Sequence, residues 1–258
     1  MNDSNIINNK SSQDNDESNK NSDSDSNRDS KASQPIKEEE NKKWDIEVLP
    51  ENTNKNDLSF KVILIGDSGV GKSSLANKAI KNKFETNYNA TIGFDCFSFF
   101  VKINNKIIKL QVWDTCGQEV YQSLITNFYR NSSLAIMVYS INNRNTYENL
   151  DLWLKELKTE SNPDAKIFLI GNKCDLEKER EVTFEEANTY SEDMEFSKFF
   201  EASAKEGINA KEIFIEGARL LYEDYIEYKS EISSSVSEKT NPQLNNTNKN
   251  ESKSGCCQ

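Results

Sequence analysis

Val62-Ile63-Leu64-Ile65 runs directly into Gly66-Asp67-Ser68-Gly69-Val70-Gly71-Lys72-Ser73. Four apolar residues in a row read as a strand buried on both faces. The glycines behind it let the backbone bend and approach an anion, so that successive N–H groups ring a phosphate. Lys72 is spaced to reach the outer phosphate oxygens of a triphosphate, and the Ser73 hydroxyl to bind Mg²⁺. Strand, glycine loop, lysine and hydroxyl in this order point to a nucleoside triphosphate. They leave the base open.

The base is read farther along, at Asn172-Lys173-Cys174-Asp175, behind the apolar run Ile167-Phe168-Leu169-Ile170-Gly171. A carboxylate at Asp175 can accept from both the N1–H and the 2-amino group of guanine. Adenine offers neither donor and would leave that carboxylate unpaired, at a cost of ~1–3 kcal/mol or more. Lys173 suits the plane of the base, and Asn172 suits a tie back to the phosphate loop. Glu201-Ala202-Ser203-Ala204-Lys205 adds a tight turn whose Ala204 N–H suits the guanine O6. Two more segments face the γ-phosphate. In Asp114-Thr115-Cys116-Gly117-Gln118, Asp114 suits Mg²⁺ through a water, the Gly117 N–H a γ-oxygen, and Gln118 the attacking water. In Thr91-Ile92-Gly93, a hydroxyl and a carbonyl can cover the same metal and phosphate. Phe84 is either a stacking partner for guanine or an ordinary core aromatic.

The pattern around these motifs is that of an α/β domain. Runs at Val62–Ile65, Leu134–Tyr139, Ile167–Ile170 and Phe199–Ala202 read as buried strands, and Phe97–Ile103 with Ile107–Trp113 as a hairpin turning at Asn104-Asn105. Helical stretches fall at Ser73–Ile80, Thr146–Lys158, Phe184–Met194 and Lys211–Tyr228. Thr183-Phe184-Glu185-Glu186 reads as a capping box, and Ile213, Phe214, Ala218 and Leu221 as a core stripe. Such alternation gives a doubly wound sheet with its ligand at the strand ends.

The expected domain spans residues 57–228. Residues 1–56 are rich in Asn, Ser, Asp and Lys and bury too little apolar surface to offset chain entropy, so disorder is expected there. Trp44-Asp45-Ile46-Glu47-Val48-Leu49 stands out within them, as a short docking motif or as a loose strand or coil on the domain. Residues 229–258 again turn polar and are expected to form a flexible tail. The net charge of −11 and the pI near 4.8 argue against nucleic acid as a partner. No apolar run reaches the ~18 residues of a membrane span, and the N-terminus lacks an apolar signal region. Asn2 stands where myristoylation requires glycine. With His absent from the 258 residues, Ser-His and Cys-His catalysis and the usual zinc sites are excluded. The five Cys are scattered or terminal, as in a cytosolic protein.

In kind and order these motifs resemble the Rab branch of the Ras-like small GTPases, over about Leu58 to Tyr228. Thr91-Ile92-Gly93, Lys109-Leu110-Gln111-Val112-Trp113-Asp114, the Tyr129-Arg130 pair and the ending Gly255-Cys256-Cys257-Gln258 look like Rab in particular. The resemblance implies a three-layer fold, a six-stranded, mostly parallel sheet flanked by helices. It implies a GTP/GDP switch using Mg²⁺, with Lys72 and Gln118 catalytic and Ser73, Thr91 and Asp114 (through water) serving the metal. Nucleotide contacts fall to Asp67, Ser68, Gly69, Val70, Gly71, Lys72, Ser73, Ser74, Phe84, Thr91, Gly117, Asn172, Lys173, Asp175, Ser203, Ala204 and Lys205. Implied partners are an exchange factor, a GTPase-activating protein, a GDP-dissociation inhibitor or escort protein, and effectors. Implied too are geranylgeranyl groups on Cys256 and Cys257, a place on the cytoplasmic face of an endomembrane or vesicle, and a cytosolic pool.

Three departures stand in the nucleotide-sensing segments: Cys116 for the usual alanine, Val120 where an arginine is common, and Phe94-Asp95-Cys96 for an aliphatic-acid-Phe stretch. Cys116 is either a redox-sensitive thiol or a small residue in place of Ala. A small-molecule kinase on the same loop and a GTP-binding scaffold that hydrolyses poorly are the alternative functions.

Overall fold

The computed structural model describes residues 44–86, 91, 93–116 and 128–238. The strands are β1 (Ile46–Leu49), β2 (Leu58–Ile65), β3 (Phe94–Ile103), β4 (Lys106–Thr115), β5 (Leu134–Ser140), β6 (Lys166–Asn172) and β7 (Lys198–Ala202). Among the described residues they make one seven-stranded sheet, ordered β1-β3-β4-β2-β5-β6-β7. From β4 to β7 the pairing is parallel throughout. β3 pairs antiparallel with β4 as the expected hairpin. The helices are α1 (Lys72–Lys81), α2 (Arg144–Glu148), α3 (Leu150–Glu160), α4 (Phe184–Asp193) and α5 (Glu212–Glu238).

Alternation along the strands sorts their side chains into two cores. Ile63, Ile65, Ala135, Met137, Tyr139 and Leu169 face α3 and α4, where Trp153, Leu154, Leu157 and Ala187 complete a buried cluster. The opposite face meets α5: the Phe99 and Phe214 rings lie 5.5 Å apart, and Ile213, Phe214, Ala218 and Leu221 are buried as the expected stripe. Sheet and helices thus stack in three layers. The capping box forms as read, with the Glu186 N–H donating to Thr183 Oγ1 at 3.2 Å.

Three features differ from the sequence reading. The sheet has seven strands rather than six, because β1 arises inside the segment expected to be disordered. It pairs antiparallel with β3, from Ile46 opposite Ile103 to Leu49 opposite Phe100. The Asp45 N–H donates to Asn104 Oδ1 and the Asn104 N–H to Asp45 O, at 3.1 and 2.7 Å. Trp44 then sets its ring edge-on to Tyr222, 5.7 Å away. An otherwise open edge of β3 gains a ladder of partners, and Ile46–Leu49 is a strand on the domain, as in the second alternative, rather than a docking motif. The helix expected over Thr146–Lys158 is two helices meeting at Asn149. Finally, α5 runs past Tyr228 to Glu238. Extending an existing helix fixes one residue per added hydrogen bond, so it needs no new core once α5 is anchored.

Candidate nucleotide site

Because the strands from β4 to β7 run parallel, the loops that leave β2, β4, β6 and β7 open at one end of the sheet. Leu64 lies beside Asp114, and Asn172 beside Ala202. This is where an open α/β sheet holds its ligand.

The loop after β2 is built by close approach. A Cβ on Gly66 would stand 2.1 Å from the Val138 carbonyl oxygen, and one on Gly71 would stand 2.3 Å from Asn172 Nδ2, at φ +132° and +99°. Neither position admits a side chain. α1 starts at once with Lys72 and has no acidic residue in its first turn. Its N–H groups and the positive end of its dipole are therefore available to an anion. Asp67 and Gly71 are half-buried, Ser68 and Gly69 are exposed, Val70 is buried, and Ser73 and Ser74 lie half-buried on α1.

Lys72 is 5% exposed. Its Nζ donates to the carbonyls of Gly66 and Asp67, at 2.7 and 2.8 Å. Burial brings its pKa down to about 8, against the opposing pull of Asp114 and Asp67. Asp114 is fully buried, and neither carboxylate oxygen has a hydrogen-bond partner among the described residues. Burial pushes its pKa up to about 6, with Ser73 and Lys72 pulling the other way. An ionised carboxylate sealed from water and unbonded is costly, and a cation relieves that cost. Ser73 Oγ and Thr91 Oγ1 are hydrogen-bonded at 2.7 Å. A hard divalent cation takes oxygen donors of these kinds, so Ser73, Thr91 and Asp114 fit one.

At the other side, Asn172 joins three loops. Its Nδ2 donates to Val70 O at 2.7 Å, and its Oδ1 accepts from the Ala204 N–H at 3.3 Å. The latter differs from the sequence reading: the N–H expected at guanine O6 is turned toward Asn172, in a long bond. Ser203 Oγ donates to Asp175 Oδ1 at 2.6 Å and accepts from the Glu206 N–H at 3.0 Å, which fixes the carboxylate's direction. Lys205 Nζ stands 3.9 Å from Asp175 Oδ2. Lys173 takes a left-handed conformation at φ 68°, and partial burial lowers its pKa. Phe84 is 37% exposed. It is thus not the core aromatic of the alternative reading.

Four residues that sequence reading passed over hold these parts. Asp67 Oδ1 accepts from Trp153 Nε1 at 2.7 Å, and Oδ2 from Asn149 Nδ2 at 2.8 Å. Beneath the base loop, Arg180 donates twice to Glu201, at 2.6 and 2.9 Å. Asn149 and Trp153 lay in the stretch read as one helix and Arg180 in a loop, while Glu201 was the one charge in the Phe199–Ala202 run read as a buried strand. Cys116 is 2% exposed and packs in the α3 and α4 core. Reactive thiols are partly exposed, so Cys116 is a small packing residue. Burial pushes the Cys174 thiol up to about 11, which keeps it protonated. Gly117, Gln118, Val120, Cys256 and Cys257 lie outside the described residues.

A glycine loop on a strand end, a buried lysine and a polar base loop tied to it define a P-loop nucleotide-binding protein. The Ras family model matches residues 61–223. Rab-4B of Homo sapiens is 42% identical over 165 residues, covering 64% of this chain and 77% of that protein. RABA1b of Arabidopsis thaliana is 42% identical over 166 residues, covering 64% and 76%. Rab11B of Nicotiana tabacum is 36% identical over 205 residues, covering 78% and 94%. The chain belongs to the Ras family, as a Rab-type small GTPase. It is thus a GTP-hydrolysing switch of vesicle transport, and the small-molecule kinase alternative falls away. β1 precedes the part that the family model matches.

Proposed function

We propose that the loops leaving β2, β4, β6 and β7 hold Mg²⁺-GTP, with the base on Asp175 and the phosphates over the N-terminus of α1. The observation that carries the reading is the buried Asp114 carboxylate, which finds no hydrogen-bond partner at ordinary distance among the described residues and lies near enough to Ser73 for that hydroxyl to lower its pKa, Ser73 being bonded to Thr91. Ser73 and Thr91 would ligate the metal directly and Asp114 through a water. The metal supplies charge stabilisation at the phosphates. Lys72 holds negative charge on the transferring group, and the Gly117 N–H meets a γ-oxygen. Gln118 orients the attacking water. No arginine finger is apparent in the sequence, so unaided hydrolysis is slow, and a partner that supplies one raises it by ~10³–10⁵. Phe84 stacks on the base, Lys173 lies along it, and the Ala204 N–H is shared with O6.

Two variants test the cycle. Ser73→Asn is expected to weaken Mg²⁺-GTP far more than GDP, since the lost hydroxyl serves the metal beside the γ-phosphate. Gln118→Leu is expected to keep GTP affinity and lose hydrolysis, because leucine cannot orient water. Competition between Mg²⁺-GTP and GDP reads the first and single-turnover phosphate release the second; equal rates in wild type and Gln118→Leu would favour a non-hydrolysing scaffold.

The membrane attachment we propose is two geranylgeranyl groups, on Cys256 and Cys257, which would hold the protein on the cytoplasmic face of an internal membrane. Among the described residues no helix is long and apolar enough to cross a bilayer. Lys229, Lys239, Lys249 and Lys253 are offset by Glu231, Glu238 and Glu251, so the tail lends little electrostatic help. One lipid chain gives marginal binding, and two give stable anchoring. Replacing both cysteines by Ser should release the protein from membranes in fractionation, and replacing one should leave partial attachment. Nucleotide content should not change. Sedimentation of the double variant with membranes would rule out lipid as the anchor. Exchange factor, activating protein, GDP-dissociation inhibitor and effectors complete the cycle as partners.

A further inference from the structure

We infer that Asn149 and Trp153 are positioning residues for Lys72, acting through Asp67. The inference rests on the nucleotide reading above and adds to it the part played by α3.

A carboxylate inside a phosphate-binding loop is a liability, because it repels the anion the loop must hold. Asp67 is relieved of that conflict by being turned away and held. Its two oxygens each accept one hydrogen bond, from Trp153 Nε1 at 2.7 Å and from Asn149 Nδ2 at 2.8 Å. Both donors come from one short stretch of chain. Asn149 and Trp153 stand four apart, a spacing that puts side chains on the same side of a helix. Asn149 is the residue at which α2 ends and α3 begins, with φ −75° and ψ −7°. The break that sequence periodicity did not foresee thus coincides with the residue that reaches the loop. Indole N–H is a donor only and seeks a partner when buried. Trp153 is 9% exposed, and Asp67 is the partner it finds.

The second half of the link is Lys72. Its Nζ donates to the main-chain oxygen of Asp67 at 2.8 Å and to that of Gly66 at 2.7 Å. The residue whose side chain α3 fastens therefore also holds the lysine by its carbonyl. Fastening Asp67 fixes the carbonyl, and the carbonyl fixes the ammonium in a waiting position above the loop. Without the clamp, the carboxylate is free to swing toward the phosphates and the carbonyl to drift from Lys72. Bound nucleotide then leaves sooner.

The test follows release of a fluorescent GDP from the full-length protein, in wild type, Trp153→Phe, Asn149→Ala, Asp67→Ala and the Asp67→Ala/Trp153→Phe double variant. Phenylalanine keeps the aromatic packing of Trp153 and removes only its donor. Trp153→Phe and Asn149→Ala are each expected to release nucleotide about ten-fold faster, the loss of one charge-assisted bond at ~1.4 kcal/mol per factor of ten; Asp67→Ala, which loses both bonds and with them the hold on its carbonyl, should release it at least as fast as either. The double variant should release it no faster than Asp67→Ala alone, since residues acting through one contact are not additive. Melting temperatures measured in parallel identify any variant that is simply unfolded; Trp153→Phe, the mildest, then decides by itself. Wild-type release rates in Trp153→Phe would overturn the inference. So would a full additional effect of Trp153→Phe in the Asp67→Ala background, which would mark Trp153 as packing only. If wild type fails to bind labelled GDP, the nucleotide reading falls, and this inference with it.

Discussion

Asn in place of Asp175 is expected to exchange a preference for guanine nucleotides for one for xanthine nucleotides. Guanine presents N1–H and a 2-amino group, both donors, to the carboxylate; xanthine carries an oxygen in place of the amine. The surroundings favour a clean exchange. Ser203 Oγ donates to Asp175 Oδ1 at 2.6 Å, and an asparagine can keep its own oxygen there. Its amide nitrogen then takes the place of Oδ2, where it offers a donor to xanthine and none of the acceptor capacity that guanine needs. GTP affinity should fall by roughly 10²–10⁴-fold, the cost of leaving matched polar groups unpaired in a site built for them. Competition between GTP and xanthosine triphosphate checks this. An unchanged GTP preference would remove Asp175 from the base site.

Replacing Arg180 by Ala is expected to have the largest effect on stability. Arg180 and Glu201 have side chains 16% and 6% exposed and meet through two hydrogen bonds, at 2.6 and 2.9 Å. Arg180 also donates to the Val182 carbonyl at 2.9 Å. Its removal strands the Glu201 carboxylate in the interior without its counter-charge. Breaking such a pair costs about 3 kcal/mol, or roughly 10 °C in the unfolding midpoint of a domain this size. The loss should extend to nucleotide retention, because Glu201 precedes the Ser203–Lys205 turn and Arg180 follows the Asn172–Asp175 loop. Arg180→Lys keeps the charge but not the two-pronged contact, and should fall between wild type and Arg180→Ala. Thermal unfolding with saturating GDP measures all three; a midpoint within 2 °C of wild type for Arg180→Ala, well short of the roughly 10 °C estimated, would show that the pair is not a support of the base loop.

What the sequence disclosed and what it hid separate along physical lines. Val62–Ile65 and the glycine loop were legible because burial on both faces and backbone approach to an anion each restrict residue type locally. That Asn172, Asp175 and Ser203 belong together was legible because the base contact proposed for them needs particular donors and acceptors behind a strand. β1 was not. Ile46–Leu49 is short, alternates with Glu47, and is a strand only because β3 offers it an edge. The break at Asn149 was hidden by apolar spacing that suits a continuous helix over Thr146–Lys158, and the partner that Asn149 meets there, Asp67, is distant in the chain. Arg180 looks like a surface charge when taken singly, and the counter-charge it meets, Glu201, lies in a run read as buried strand.

Guanine nucleotide binding and GTP hydrolysis should take place at one and the same site. The most direct measurement is single-turnover hydrolysis of Mg²⁺-GTP by the purified protein, with GDP, ATP or nothing added as competitor. Slow release of one phosphate per bound GTP is expected, suppressed by GDP and untouched by ATP in hundred-fold excess, a discrimination set by Asp175 on the order of 10²-fold or more. Bound GTP that is never hydrolysed, or ATP that displaces it as readily as GDP does, would contradict that expectation.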